Sequence, residues 1–446
     1  MAKELQLTGK LSRRNFLRLA SVGASVTALA ACTPVAAPSD SGGGEMSSEV
    51  TSITYLSQGG GEAAINRYQP LIDQFHEENS DVEVTMQLEP GGAIEVQTKL
   101  LTLIAAGEAP DTYWAHSYTN AGQSKRDIQL DVSDFLASDD EIKGEDYLPA
   151  AWADFNVDGK QVGFPRETTS TVIIYNKELL DAAGVAAPTD SWTWDDFLAA
   201  ASAVTSGEGA EKIYGMADFN LNRNTWCRMW QNGGDVLNAD RTEYTMNASE
   251  NVAVVEEITG WHTDELHIPG VEKGGFSTAD LFTTGRIGMF PQFSVFSGIQ
   301  SAEFEWDVAH LPVNADQSRT TRVASAGHSI YSGTAHQEAA WSFLKKLGSE
   351  SAYRHWVDGG LSLPSLKSVA SDPALFDDGG PASFQIIIDA FDYGRPEPVA
   401  GDWIGVHREI QPALDAIYGI EQADAQSTLD GIADRVNELI AALPSA

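Results

Sequence analysis

The sequence predicts an α/β fold organised around a largely parallel β-sheet. Apolar segments of strand length alternate with segments of helical periodicity along the body of the chain, and such strand–helix–strand units are typical of parallel sheets. The 446 residues, 42% of them hydrophobic, are enough for two or three domains with their own cores. Ligands of such sheets bind at the carboxyl ends of the strands, so the functional site is expected there.

The first strand–helix–strand unit begins at Ile53. The apolar strand Ile53–Leu56 leads into the glycine run Gly59–Gly61, where the backbone has room for a close approach. Apolar residues then recur at helical spacing from Ile65 to Phe75, and residues 82–86 alternate between apolar and polar as a strand does. This order favours a parallel pairing of the first two strands.

Later segments continue the same pattern. A helical face over 100–104 stops at Gly107, and Asp111–Trp114 follows as a short strand. The pair Asp158-Gly159 lies between apolar runs and predicts a β-hairpin, because both turn positions favour positive φ. Near the C-terminus, apolar residues at helical spacing predict two amphipathic helices, over 406–417 and 429–439.

The charge balance excludes one class of function. The chain has 64 Asp and Glu residues against 28 Lys and Arg, which gives a formal net charge of −36. Nucleic-acid binding draws its affinity from Lys and Arg that neutralise phosphates, so no nucleic-acid partner is expected. The two cysteines, Cys32 and Cys227, are too few for a disulfide scaffold or a thiolate zinc cluster.

The basic N-terminal segment, residues 1–31, carries two export signals. Ser12–Arg18 matches the twin-arginine motif, and the apolar stretch Leu19–Ala31 is shorter than the ~20 residues that a membrane-spanning helix needs. Leu29–Cys32 resembles the lipobox of bacterial lipoproteins. That resemblance implies cleavage before Cys32, acylation of this cysteine, and anchoring to the outer face of the cell membrane.

The sequence lacks the motifs of several common enzyme classes. No His-Glu-x-x-His segment, Walker loop or Gly-x-Gly-x-x-Gly loop after a strand is present. The aspartates between Asp131 and Asp140 miss the EF-hand spacing, and they are interpreted as a solvated face instead of a calcium site. Neither a metal nor a cofactor is expected, and no catalytic residue is assigned. A carboxylate pair for glycoside hydrolysis stays open, because sequence spacing does not fix the distance between two acids.

Several aromatic residues lie beside turn-forming or polar residues instead of inside long apolar runs. They are Trp114, Trp226, Trp230, Phe293 and Trp403. Rings near loop ends are flat platforms for a ligand whose faces alternate C–H and polar groups, as a sugar ring does. Covering ~50–100 Å² of such a ring at ~25 cal/mol/Å² stabilises the complex by roughly 1–2.5 kcal/mol per platform. Core packing is the competing interpretation for each ring taken singly.

Five segments together resemble the extracellular solute-binding proteins of ABC importers, in the sugar-binding group that includes maltose-binding protein. They are Gly107–Asp111, Val162–Pro165, Tyr175–Val185, Pro188–Phe197 and Leu281–Met289. The resemblance extends over nearly the whole chain after the first fifty residues, and it depends on the order of the segments more than on any one of them.

The resemblance implies a periplasmic-binding-protein-like α/β fold, in which two lobes joined by a hinge close over a ligand in a cleft. The predicted domains are 1–31 as signal peptide, 32–50 as a flexible stalk rich in Pro, Ser and Gly, 51–165 with 313–350 as the first lobe, and 166–312 with 351–446 as the second lobe. The implied function is a lipid-anchored, monomeric binding subunit, not an enzyme, that captures a sugar or oligosaccharide and delivers it to a membrane permease.

The resemblance also implies a set of ligand-binding residues. The first lobe supplies Gln58, Gly59, Trp114, His116, Ser117 and Tyr118, the hinge supplies Glu167 and Thr169, and the second lobe supplies Arg223, Trp226, Phe293 and Trp403. Ser117 and Tyr118 stand where maltose-binding protein has charged residues that grip sugar hydroxyls, so they bear on which sugar is bound. Arg395 and Asp402 are further candidates for the second-lobe wall.

Two other functions are compatible with the same residues. The first is binding of another small solute: an acidic cleft would favour a polyamine, and a site that gathers Arg166, Arg223 and Arg395 would favour glycerol phosphate. The second is an exported glycoside hydrolase with a carboxylate pair. Turnover separates the second from the binding proteins, because a hydrolase releases reducing ends.

Overall fold

The computed structural model describes residues 50–273, 275–294, 296, 298–358, 363–372, 380–419 and 422–442. The strands of this part are β1 (Thr51–Gln58), β2 (Val82–Glu89), β3 (Thr112–His116), β4 (Asn156–Val157), β5 (Lys160–Gln161), β6 (Phe164–Asn176), β7 (Tyr214–Met216), β8 (Ile287–Phe293), β9 (Trp306–Ala309), β10 (Thr321–Ile330) and β11 (Gly394–Arg395). The helices are α1 (Gly61–Glu78), α2 (Ala93–Ala106), α3 (Ser117–Lys125), α4 (Ser133–Ala137), α5 (Pro149–Ala153), α6 (Lys177–Ala182), α7 (Trp194–Val204), α8 (Asn222–Gln231), α9 (Ser249–Thr263), α10 (Thr278–Thr283), α11 (Gln337–Leu347), α12 (Glu350–Asp358), α13 (Lys367–Ala370), α14 (Gln385–Asp389), α15 (Trp403–Tyr418) and α16 (Ala425–Ala441).

The larger sheet follows the order β2-β1-β3-β10-β6-β8-β7, with β11 beside β10 and β9 beside β6. Strand β1 pairs in parallel with β2 and β3, and β7 pairs in parallel with β8, as expected for strand–helix–strand units. The central strands β6 and β10 run antiparallel to each other. The predicted parallel sheet is therefore interrupted at its centre, because the chain crosses there in both directions.

Strand β6 connects the two halves of the molecule. Its first residues pair with β10, and its last residues pair with β8 and β9. Phe164 packs in the same hydrophobic cluster as Ile53 of β1, whereas Val172 packs in a cluster with Ile287 of β8. One continuous strand of 13 residues thus contributes to two separate cores.

The hydrophobic clusters bear on where the chain last returns to the second lobe. Tyr353 of α12 packs in the same cluster as Tyr68 of α1, in the first lobe. Ile387 of α14 packs with Val172 in the second lobe. We therefore propose that the chain returns to the second lobe between α13 and α14, and not at the predicted boundary of 350/351.

Two contacts bear on the second crossing, which the sequence predicts at 312/313. The Val313 amide donates a hydrogen bond to the Trp192 carbonyl at 2.9 Å, and the Thr321 hydroxyl donates to the Thr171 carbonyl at 2.6 Å. Both contacts lie on the second-lobe side of β6. Ile330, at the other end of β10, packs in the first-lobe core. We propose that the crossing lies within β10 itself.

Local turn chemistry agrees with the sequence at the predicted hairpin. Asp158 and Gly159 have φ values of 52° and 83°, and they join β4 to β5. The two predicted C-terminal helices are present as α15 and α16. These elements depend on local residue patterns, and so the sequence alone predicts them well.

The backbones of β6 and β10 approach each other so closely near the start of β6 that one position of β10 requires glycine. A register shift separates Ala326 from Gly327 in β10. A Cβ atom at Gly327 would lie 2.1 Å from the Phe164 carbonyl oxygen and 2.7 Å from the Pro165 Cα. Both neighbours are backbone atoms, which side-chain rotation does not move away.

Replacing Gly327→Ala is expected to lower the free energy of unfolding by about 1–3 kcal/mol, because both strands must shift to admit the methyl group. Urea denaturation measures the change. Gly260→Ala is the matched control: an added Cβ there meets nothing within 4 Å, and the residue lies inside α9, where alanine is the better helix former. Equal midpoints for Gly327→Ala and the wild-type protein would contradict the close crossing.

Candidate functional site

The junction of β3 and α3 supplies the first-lobe part of the candidate site. The Tyr118 amide lies 3.5 Å from the His116 Nδ1 at the start of the helix, and the two rings face each other with centroids 4.1 Å apart. Burial, reinforced by the positive charge of Arg322, lowers the pKa of His116 to about 3. His116 is therefore a neutral ring at physiological pH.

The second lobe supplies three further rings around the N-terminal turn of α15. Trp403 and His407 are four residues apart, so they lie on one face of the helix, and their centroids are 5.6 Å apart. Both rings pack on Trp226 of α8, at 5.7 and 5.0 Å. Trp226 is fully buried, and Trp403 is only 2% exposed to solvent.

A buried ion pair lies under these rings. Arg322, at the start of β10, pairs with Glu397, and their side chains are 2% and 4% exposed. Glu397 also accepts hydrogen bonds from Trp403 Nε1 at 2.8 Å and His407 Nε2 at 3.2 Å. Burial raises the pKa of Glu397, but the Arg322 charge and these hydrogen bonds outweigh it and hold the pKa well below its usual range.

The His407 ring is held at both of its nitrogen atoms. Its Nδ1 lies 2.9 Å from the side-chain amide nitrogen of Asn222, and its Nε2 lies 3.2 Å from the Glu397 carboxylate. These two contacts fix the orientation of the ring beside Tyr118.

The two lobes meet through rings at this point. The Tyr118 and His407 centroids are 5.9 Å apart, so a first-lobe ring contacts a second-lobe ring.

The guanidinium groups of Arg223 and Arg322 both lie over the Phe293 ring, at 4.8 and 4.6 Å. Burial, with the nearby Glu397 charge, raises the pKa of the Tyr118 hydroxyl, which therefore remains a hydrogen-bond donor.

A groove of about 860 Å³ runs beside this contact and is lined by both lobes. Ser117 and Asp154 line it from the first lobe, and Glu397 lines it from the second. Burial raises the pKa of the Asp154 carboxyl to about 7, against hydrogen bonding from Ser325 and the charge of Arg322. The Ser117 hydroxyl oxygen accepts a hydrogen bond from the Ser325 amide at 3.3 Å.

The predicted hinge residues lie on β6, in the part of the strand that pairs with β10. Glu167 pairs with the buried Arg166, whose guanidinium also bonds the Tyr68 hydroxyl. The Thr169 hydroxyl donates to the Ala324 carbonyl at 3.3 Å. These contacts hold β6 in place beside β10, and they do not include the rings around His407.

The structure brings most of the predicted site residues together, but not all of them. Ring contacts through His407 link Trp114, His116, Tyr118, Trp226 and Trp403. Arg223 and Phe293 join this chain of contacts through Arg322, which pairs with Glu397, the partner of His407. Gln58 and Gly59 end β1, where the Gly59 amide bonds the Glu89 carbonyl at 2.9 Å, outside this chain of contacts. Because Trp226 is fully buried, we propose that it packs behind Trp403 and His407 and does not contact the ligand itself.

The two further candidates have structural roles. Arg395 pairs with Asp235 at 2.5 Å and lies over the Trp230 ring at 4.6 Å. Asp402 caps the N-terminus of α15 by accepting a hydrogen bond from the Gly405 amide at 3.1 Å. The cluster of Arg166, Arg223 and Arg395 considered for a phosphate ligand is therefore not formed.

Sequence reasoning missed Arg322, Glu397 and His407. One signal was available for His407, which lies one helical turn after Trp403. Arg322 and Glu397 are 75 residues apart in the chain, and no local pattern connects them.

The part of the chain that the structure describes contains no group of three or more His, Cys, Asp or Glu side chains that could hold a metal ion. Burial raises the pKa of the Cys227 thiol to about 12, as expected for a core cysteine. Within the same residues, no helix is long and apolar enough to cross a membrane. Cys32, the predicted lipid attachment point, and the predicted twin-arginine motif at 12–18 lie outside the described residues.

Comparisons with known proteins agree with this geometry. The family model "Bacterial extracellular solute-binding protein" matches residues 70–380. A putative binding protein of Brucella abortus is 23% identical over 365 residues, which cover 79% of this chain and 84% of the relative. Its name is that of a binding protein, not of an enzyme.

Solved structures of substrate-binding proteins have the same fold. An ABC substrate-binding protein of Listeria monocytogenes, solved in complex with cycloalternan, has a TM-score of 0.79 and 26% identity, and the match covers 87% of this chain and 99% of that one. A maltose-bound protein of Thermotoga maritima has a TM-score of 0.73 and 22% identity, over 87% and 100% of the two chains. These matches confirm the predicted two-lobed α/β fold.

Replacing Arg322→Met is expected to lower the free energy of unfolding by about 3–5 kcal/mol at pH 7, because Glu397 is left buried without its cation. Urea denaturation measures this loss. Arg435→Met is the control, since the Arg435 pair with Glu438 is 55% and 68% exposed and its removal is expected to change little.

The same pair predicts an acid dependence of stability. Because the folded pKa of Glu397 lies below its unfolded value of ~4.3, its contribution is complete above that value and is lost as the pH falls toward the folded pKa. Glu397→Gln is expected to reduce the slope of stability against pH below pH ~4.3. An unchanged slope would show that the carboxylate does not carry this contribution.

Proposed function

Because this chain belongs to the family of bacterial extracellular solute-binding proteins, whose members bind ligands and are not enzymes, we propose that it captures a sugar or oligosaccharide between its lobes. The observation that carries the proposal is the convergence of rings and hydrogen-bonding groups from both lobes. Tyr118 comes from the first lobe, and Phe293 and His407 come from the second.

The chemistry of this convergence suits a saccharide. Partly exposed rings present flat faces to the C–H side of a sugar, and the Tyr118 hydroxyl and the Arg223 guanidinium are donors for its oxygen atoms. Buried polar groups reject analogues that leave them unpaired, which makes such a cleft selective. The sugar ligands of the Listeria monocytogenes and Thermotoga maritima proteins, cycloalternan and maltose, support the same ligand class for this chain.

Ligand capture requires movement of the lobes about the crossing strands. Strand β6 passes from one core to the other, and β10 pairs antiparallel beside it, so a small change in their twist rotates one lobe against the other. A ligand that contacts both lobes stabilises only the closed arrangement. Moving the population from mostly open to mostly closed requires a ~10⁴-fold preference for the closed form.

Export and anchoring complete the proposed function. The twin-arginine motif at 12–18 directs the chain out of the cell, and Cys32 becomes the lipid attachment point on the outer face of the membrane. The segment 32–50, rich in Pro, Ser and Gly, separates the lipid attachment point from the body, which delivers its ligand to the ABC permease as a monomer.

Binding of a polyamine or of glycerol phosphate, and glycoside hydrolysis, receive less support. The three-arginine cluster that would favour glycerol phosphate is not formed, since Arg395 pairs with Asp235 and Arg166 pairs with Glu167. Glu397 is neutralised by Arg322, so it is not a free carboxylate for glycosidic cleavage.

Replacing His407→Ala is expected to weaken oligosaccharide binding at least about tenfold, because the cleft loses a ring that faces Tyr118. Isothermal titration calorimetry against mono-, di- and oligosaccharides measures the affinity, and melting of the free protein checks its fold. His336→Ala is the matched control, because His336 is exposed at the start of α11.

Two results would overturn the proposed function. If no sugar in the panel binds the wild-type protein, the ligand class is wrong. If the wild-type protein releases reducing ends from the panel, it is a hydrolase and not a binding subunit.

Replacing Cys32→Ser is expected to move the exported protein from the membrane fraction to the soluble fraction, because the acyl chains have no attachment point. Fractionation followed by immunoblotting measures the partition. Cys227→Ala removes the other cysteine, which is buried in the body, and is expected to leave the protein on the membrane. Membrane association of Cys32→Ser would contradict lipid anchoring through this residue.

A further inference from the structure

The Arg223 guanidinium has no anionic partner among the described residues. Its contact is the Phe293 ring, 4.8 Å from its Cζ atom. The residue is partly buried at the N-terminal turn of α8, where its charge acts on His116 and Tyr118 of the other lobe. Arg223 therefore faces the region between the lobes.

Other cations near this region are neutralised. Arg322 pairs with Glu397, and Lys273 pairs with Asp218 at 2.5 Å. Arg228, one and a half turns further along α8, pairs with Glu257 at 2.9 Å. The contrast sets Arg223 apart from the neighbouring cations of this region, each of which has a carboxylate partner.

The charges that act on Arg223 leave one positive charge in excess. Glu397 and Asp218 are negative, but each is already matched, by Arg322 and Lys273 respectively. His116 is neutral because burial lowers its pKa to about 3, and the Tyr118 hydroxyl keeps its proton because burial raises its pKa. A partly desolvated, unmatched guanidinium is unfavourable until an anion pairs with it.

The orientation of Arg223 leaves its donors available for a ligand. The Arg223 Cζ atom lies over the Phe293 ring at 4.8 Å, and no side-chain hydrogen bond from Arg223 to another described residue is formed. The N–H donors of a guanidinium lie in its plane, where they match the two oxygens of a carboxylate or phosphate. A neutral sugar hydroxyl uses one or two of these donors but leaves the charge unmatched.

We propose that the saccharide captured by this cleft carries an anionic group, a carboxylate or a phosphate, that pairs with Arg223. The inference depends on the proposed sugar-binding function and narrows its ligand class. Arg322 contributes to the same positive region, but its own pair with Glu397 assigns it to the framework of the site.

Calorimetry of the exported protein with matched ligands tests the proposal. Each neutral mono- or oligosaccharide is compared with the sugar that carries a uronate carboxylate in place of a hydroxymethyl group, and with its 6-phosphate. We expect an acidic member to bind about 10- to 100-fold more tightly than its neutral counterpart. The comparison of uronate with phosphate identifies which anion is preferred.

Variants assign the preference to Arg223. Arg223→Gln is expected to remove the preference for the acidic member, and Arg223→Lys to keep part of it, because an ammonium retains the charge but not the planar fork. Arg126→Gln, an exposed arginine at the end of α3, is the matched control and keeps the preference. Melting of each free protein shows whether the fold is retained.

The outcomes separate this inference from the proposed function. Equal or tighter binding of the neutral sugars by the wild-type protein overturns the anionic ligand but leaves sugar binding intact. A preference that persists in Arg223→Gln overturns the assignment to this residue. Failure of both neutral and acidic sugars to bind overturns the proposed function itself.

Discussion

The buried pair between Arg322 and Glu397 is the interaction on which the rest of the site depends. It joins the start of β10 to the segment before α15, and Glu397 then orients both Trp403 and His407 through hydrogen bonds. A buried ion pair contributes little net stability, because desolvation offsets its Coulomb attraction, but breaking one is costly. The pair therefore fixes the geometry of the rings more than it stabilises the fold.

The distribution of charge suits two lobes that must separate. Both members of the ion pair lie on the second-lobe side, whereas the contact between the lobes joins the rings of Tyr118 and His407. Opening the lobes exposes ring surface to water, which costs roughly 25 cal/mol per Å² of apolar area, and it separates no matched charges. A contact of this kind is weak enough for a ligand to decide whether the lobes are open or closed.

Local patterns predicted the elements of the fold, and the family resemblance predicted the residues that follow β3, but neither predicted how distant segments meet. Between Arg322 and Glu397 the chain contributes residues such as Tyr353 to the first-lobe core, so the pairing of Arg322 with Glu397 depends on the tertiary fold. Turn-forming or polar residues flank Trp226, and this pattern predicts a ligand platform, with core packing as the competing interpretation. The helical period of α8 instead places it on the buried face with Met229 and Trp230.

The net charge of −36 and the unmatched charge of Arg223 act on an anionic ligand in opposite directions and over different distances. At physiological salt the Debye length is about 8 Å, so the field of the acidic surface is largely screened for a ligand in solution. Inside a closed cleft the screening is weaker, and a guanidinium at contact distance dominates the interaction. Surface acidity therefore slows the approach of an anionic saccharide without excluding it, and the charge next to the bound ligand determines its affinity.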